Sequence, residues 1–149
     1  MPQRGFTLIE VALAVALVAL LAAIAVPSYV GFAERGRVAQ AISDMGRIQL
    51  AADRFRLNNN DELPASLAEI ELDTLLDPWG RPYEYLNISL AKNQGELRKD
   101  KNLVPLNTDF DLYSKGPDGD SKRPLNAKAS RDDIVRANNG AFVGKAEDY

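Results

Sequence analysis

The sequence predicts an α+β chain: a long N-terminal helix, followed by a small domain built on short strands. Three observations carry this reading. Residues 11–26 contain no polar side chain. Val38, Ala41 or Ile42, Met45, Ile48, Ala52 and Phe55 then recur at spacings of three and four, the period of a helix with one buried stripe. Beyond Leu63 the period changes, and residues 83–88 and 109–114 alternate as strands do.

The elements follow in order. About 22 residues separate Gly5 from Pro27, and at 1.5 Å per residue a helix of that length spans the ~30 Å hydrocarbon core of a bilayer. There is no second apolar run, so the chain reads as single-pass. Arg4 is the only charge ahead of the run, which places residues 1–5 in the cytoplasm and the remainder across the membrane. An ordinary secretory signal is the competing reading, with Ala22-Ala23-Ile24-Ala25 as its small-residue cleavage site. Glu10 at the start of the run argues against it. Pro27 removes a backbone donor and crowds the preceding turn, and with Gly31 it predicts a kink or local melting near residues 22–31. The amphipathic half then runs to about Leu57 and stops at Asn58-Asn59-Asn60. Pro64 can open a short helix across residues 65–71 or beyond. Asp77-Pro78-Trp79-Gly80-Arg81-Pro82 is turn-rich, residues 91–102 form a polar connection, and residues 116–129 read as a loop. Trp79, Tyr83, Tyr85 and Tyr113 read as core aromatics.

Composition narrows the function. With about 30 of the 149 residues in the stalk, what remains is enough for one small domain. A net charge of −3 gives no electrostatic case for nucleic acid. The arginines between residues 35 and 56 alternate with Glu34, Asp44 and Asp53, as on a solvated helix face. Having neither cysteine nor histidine, the chain cannot use disulfides, thiolate metal sites or histidine acid–base chemistry. No nucleophile, phosphate loop or oxyanion arrangement accompanies the acidic pair Asp132-Asp133, so the reading is not enzymatic.

Glu10 is the most informative single residue. A carboxylate in hydrocarbon costs from about 3 to well above 10 kcal/mol, and no Lys or Arg lies between Phe6 and Glu34 to offset it. If the chain is cut after Gly5, the new amine on Phe6 supplies a positive partner, in this copy or a neighbouring one. The alternative is a Glu10 that stays hydrated at headgroup depth.

Arg4-Gly5-Phe6-Thr7-Leu8-Ile9-Glu10 resembles the class III signal of type IV pilins and type II secretion pseudopilins. The resemblance implies a leader at residues 1–5, cleavage between Gly5 and Phe6 by a prepilin peptidase, and N-methylation of Phe6. It further implies assembly through Glu10, Phe6 and Pro27, with residues 6–32 as the filament-core helix and residues 33–149 as a periplasmic domain. Asp77-Pro78-Trp79-Gly80-Arg81-Pro82-Tyr83 and Phe110-Asp111-Leu112-Tyr113-Ser114-Lys115-Gly116-Pro117-Asp118-Gly119 are similar to segments of the major pseudopilins. They imply a pilin-like fold, in which the helix packs on a small antiparallel sheet. The similarity covers most of residues 4–120 and is weakest at 88–106 and after 121.

Four carboxylates, Asp118, Asp120, Asp132 and Asp133, flank the loop after the second strand. Calcium takes six to eight oxygen ligands from such mixed sets, although aspartate and glycine are also plain turn residues. Major pseudopilins bind calcium in this loop, and the resemblance implies the same here. The insertion from Lys122 to Lys128 departs from the family pattern and adds positive charge.

The expected function is a structural subunit of a type II secretion pseudopilus. It would be stored in the bacterial inner membrane and assembled with copies of itself, minor pseudopilins and an inner-membrane assembly platform. A type IV pilin for adhesion or motility is the alternative, without the C-terminal disulfide loop that many of those carry. A membrane-anchored monomer that binds a ligand, and an exported enzyme, are the readings from other classes.

Overall fold

Why a 51-residue helix forms is clear from its sequence: residues 8–26 are almost wholly aliphatic, and alanine and arginine are frequent thereafter. The computed structural model describes residues 5–101 and 103–149, and the start of the expected leader, including Arg4, lies outside them. Helix α1 runs from Leu8 to Asn58 with Pro27 inside it. Of the kink or local melting expected near residues 22–31, the melting is absent: the chain stays helical throughout. Proline lacks an N–H, so it leaves one carbonyl of the preceding turn unbonded. Beside it the Ser28 hydroxyl donates to the Ile24 carbonyl at 2.9 Å.

The chain divides into two compact units, residues 1–36 and Arg37–Tyr149. In the first, every residue from 5 to 30 is exposed, and the helix is long and apolar enough to cross a membrane. In the second, four strands form an antiparallel sheet in sequence order, β1 (Glu84–Asn87), β2 (Phe110–Ser114), β3 (Ile134–Ala137) and β4 (Phe142–Lys145). Tyr85 pairs with Leu112, Tyr113 with Val135, and Val135 with Gly144. The first two strands fall where alternation predicts them. The short helix after Pro64 is a 3-10 turn, Leu67–Ile70.

The sheet is covered on both faces. On one, Phe110, Leu112 and Ile134 pack with Ala41, Met45, Ile48 and Ala52 of α1 and with Tyr83. On the other, Val135 and Ala137 pack with Leu106, Leu125 and Ala146, flanked by Tyr113 and Phe142. Alternation along β2 and β3 sends successive side chains to opposite faces. The second cover comes from the β1–β2 and β2–β3 connections. The Lys99 amide donates to the Arg123 carbonyl, the Leu125 amide to the Lys99 carbonyl, and the Leu106 amide to the Arg98 carbonyl. The two stretches where the family likeness is weakest therefore fold together as one layer. Trp79 and Tyr85 pack at the edge of the helix-side core, as expected of core aromatics.

Candidate functional site

The N-terminal site begins with how α1 starts. Thr7 is the residue before the first helical turn, and its carbonyl accepts from the Val11 amide. Its amide and its hydroxyl both donate to Glu10 Oε2, at 2.8 and 2.7 Å, and the Glu10 amide donates to Thr7 Oγ1 at 3.3 Å. This is a reciprocal capping box, in which residues three apart satisfy each other's exposed donors at a helix start. Thr7-Leu8-Ile9-Glu10 carries that signature in sequence, and the reading of Glu10 as an assembly residue alone passes over it. Glu10 therefore has a local partner in the single chain, with which any other partner would have to compete. Gly5 and Phe6 lie ahead of the helix, and Phe6 is 90% exposed. Pro27 lies nearly five turns on from Glu10, too far along the helix to touch it.

The acidic loop is assembled differently. The Asp118 amide donates to Asp132 Oδ2 at 3.3 Å, and the Asp120 amide donates to Asp118 Oδ1 at 2.8 Å. Asp133 turns away from these, into the protein. Its Oδ2 accepts from Arg98 Nη2 at 2.7 Å and from the Ser121 hydroxyl at 2.6 Å, and Arg98 Nη1 donates to the same hydroxyl at 2.6 Å. Asp133 is fully buried and Arg98 nearly so. Burial pushes the Asp133 carboxyl up, and the bonds from Ser121 and Arg98 hold it back. Asp111, beneath the same layer, accepts from the Arg98 amide and from Asn107, yet burial raises its carboxyl too.

The four aspartates assigned to calcium are thus split, with Asp118, Asp120 and Asp132 on the loop surface and Asp133 beneath it on Arg98. No three acidic side chains converge on a metal position among the described residues. Calcium takes six to eight oxygens, carbonyls included; of the four carboxylates, Asp133 is set apart from the others, because burial and a guanidinium partner draw it inward.

Two further clusters were not legible from spacing. Arg136 of β3 forms a bidentate pair with Asp109, at 2.8 and 2.6 Å, and its Nε donates to Gln49 of α1. Its guanidinium lies 4.0 Å over the Phe110 ring. Asp77 holds the turn-rich segment: its carboxylate accepts from the amides of Trp79 and Arg81 and from the Ser114 hydroxyl. Tyr83 donates to Asp44, and burial raises its phenol far above the usual range. These groups are used internally, by one another.

Comparison with known proteins covers both units. The family described as the prokaryotic N-terminal methylation motif matches residues 1–26. The chain is 30% identical over 138 residues to type II secretion system core protein G of Pseudomonas aeruginosa, covering 78% of this chain and 85% of that one. It is 28% identical over 142 residues to the protein of the same description from Aeromonas hydrophila, covering 80% and 86%. A fimbrial protein of P. aeruginosa is 43% identical, but over 59 residues, 40% of this chain and 38% of that one. No solved structure gives a significant match.

Proposed function

We propose, for a chain that belongs to the family of type II secretion system core protein G, the role of pseudopilus subunit in a type II secretion system. The observation that carries this choice over a pilus subunit is where the similarity extends. The match to a fimbrial protein has about the length of the N-terminal helical region, whereas the secretion proteins match through the sheet domain as well. A shared helix is what any filament of this kind requires, and the domain distinguishes one filament from another.

In this role the chain enters the inner membrane through its apolar helix, with the domain on the periplasmic side. Cleavage between Gly5 and Phe6 creates the amine that is then methylated. The helices leave lipid and bundle in the filament core, where each Glu10 exchanges its Thr7 partner for the Phe6 amine of a neighbour. Satisfying a low-dielectric carboxylate in trans fixes the axial register, because a slip leaves the charge unpaired. The contribution is structural. Energy and processing come from the other components, which include the assembly platform, the prepilin peptidase and the minor pseudopilins.

The test is gene deletion with complementation by the full chain. Loss of the chain should leave exported proteins in the periplasm and surface motility intact, and Glu10→Leu should be inserted yet fail to restore export. Loss of motility with normal export would favour the pilus subunit instead.

A further inference from the structure

We infer that two arginines take the place of a divalent cation in the loop between β2 and β3, so that this chain orders the loop without calcium. Four of the loop's oxygens already have cationic donors. Arg81 Nη1 donates to the Gly116 carbonyl at 2.6 Å and Arg81 Nη2 to the Pro117 carbonyl at 3.3 Å. Arg98 donates to Asp133 Oδ2 and to Ser121 Oγ. A calcium ion would need several of the same carbonyl and carboxylate oxygens at about 2.3–2.6 Å, beside a fixed positive charge.

Arg98 is not free to swing out, and Arg81 is half-buried. The side chains of Arg98 and Asp133 are 5% and 0% exposed, and separating them would leave a buried charge uncompensated. Arg98 is further held over the Tyr113 ring, 4.1 Å from its centre. The backbone bonds between Lys99, Arg123 and Leu125 fix the strip that delivers it. Arg81 lies against Gly119, where a Cβ would sit 2.6 Å from the guanidinium and where φ is +77°, a conformation that glycine adopts without strain. Lys122, Arg123 and Lys128 add positive charge to the inserted loop. One oxygen, Asp133 Oδ1, has no hydrogen-bond partner, and a single buried atom beside a guanidinium does not make a calcium site. The strip carrying Arg98 and the segment carrying Arg123 and Leu125 are joined through their backbones, so the buried pair and the loop are ordered together.

The inference stands apart from the secretory role and is tested on the full chain in detergent micelles. Trp79 is the only tryptophan, so its emission reports unfolding of the domain. Thermal midpoints with chelator, with calcium and with magnesium should agree within about 1 °C, well inside the shift that 1 kcal/mol would produce. A fall of several degrees on chelation, restored by calcium, overturns the inference. Arg98→Met should lower the midpoint by about 10 °C or more, because it strands Asp133, and Arg98→Lys should fall between. An Arg98→Met protein as stable as the parent in chelator would equally overturn it. If that variant does not fold, the chelator series on the parent chain still decides the question.

Discussion

Two stretches of α1 treat apolar surface in opposite ways. Leu8 and Phe32, near the two ends of the first stretch, are 89% and 73% exposed, whereas Ala41, Ile48 and Ala52 in the second are at 0%. The backbone is helical in both, so the difference lies in what meets each face. The second stretch has one apolar stripe, met by the sheet of the same chain. The first is apolar all round, which a single small domain cannot cover and which suits lipid or other helices. One element thus serves intramolecular folding at one end and intermolecular assembly at the other. Changes at the two ends should separate cleanly in their effects.

The largest separation is expected at Gly5. Gly5→Leu should leave the precursor uncut and abolish filaments, while the thermal midpoint of the domain stays at the parent value. Intact mass and Trp79 emission on the same sample check both halves. A mature chain beginning at Phe6 in that variant would break the comparison on its assembly side.

Phe110→Ala tests the other end. Phe110 is 1% exposed in the helix-side core and lies under Arg136. Its removal should cost about 3–5 kcal/mol, a shift of roughly 10 °C or more for a domain of this size. Cleavage at Gly5 should continue normally, as read by mass. A shift of only a degree or two would mean that α1 and the sheet are less tightly joined than the packing indicates.

A smaller effect sharpens the comparison by pH. Burial would raise the Asp109 carboxyl, but the Arg136 fork and the Phe110 amide outweigh it and hold it below the usual range. A carboxylate lowered in the folded state contributes stability above its unfolded pKa of about 3.9, and loses it as pH falls through the folded value. Asp111 and Asp133, raised by burial, act with the opposite sign: ionising them on the way up from acid costs stability. Asp109→Asn should therefore lower the midpoint at pH 7 by several degrees and flatten the loss below about pH 4. Parallel acid limbs for parent and variant would remove Asp109 from the account.

The smallest expected effect is at Thr7. Thr7→Ala removes the side-chain half of the capping box, worth about 0.5–2 kcal/mol locally. Amides of the first turn should exchange faster in micelles, with no change in domain stability. A change in the Trp79 midpoint would show that the two ends of α1 are coupled.

Much of this was legible in the chain. The span of α1 and the first two strands follow from period and composition, and the N-terminal methylation motif from a compact run of residues. What period could not reveal is the C-terminal hairpin. Ile134–Ala137 is buried on both faces, so no polar alternation marks it as a strand, and Arg136 within it looks like a surface residue until Asp109 is placed beside it. Arg98 likewise reads as one charge in a polar connection.

The sequence by itself determined which half of the helix is apolar all round and where the first two strands run, because those depend on neighbours a few positions away. Only the tertiary structure decided that Asp133 belongs to Arg98, 35 residues earlier in the chain, and that two unfamiliar connections make one layer. Such pairings depend on desolvation, and a charge's partner is chosen by what the fold buries with it.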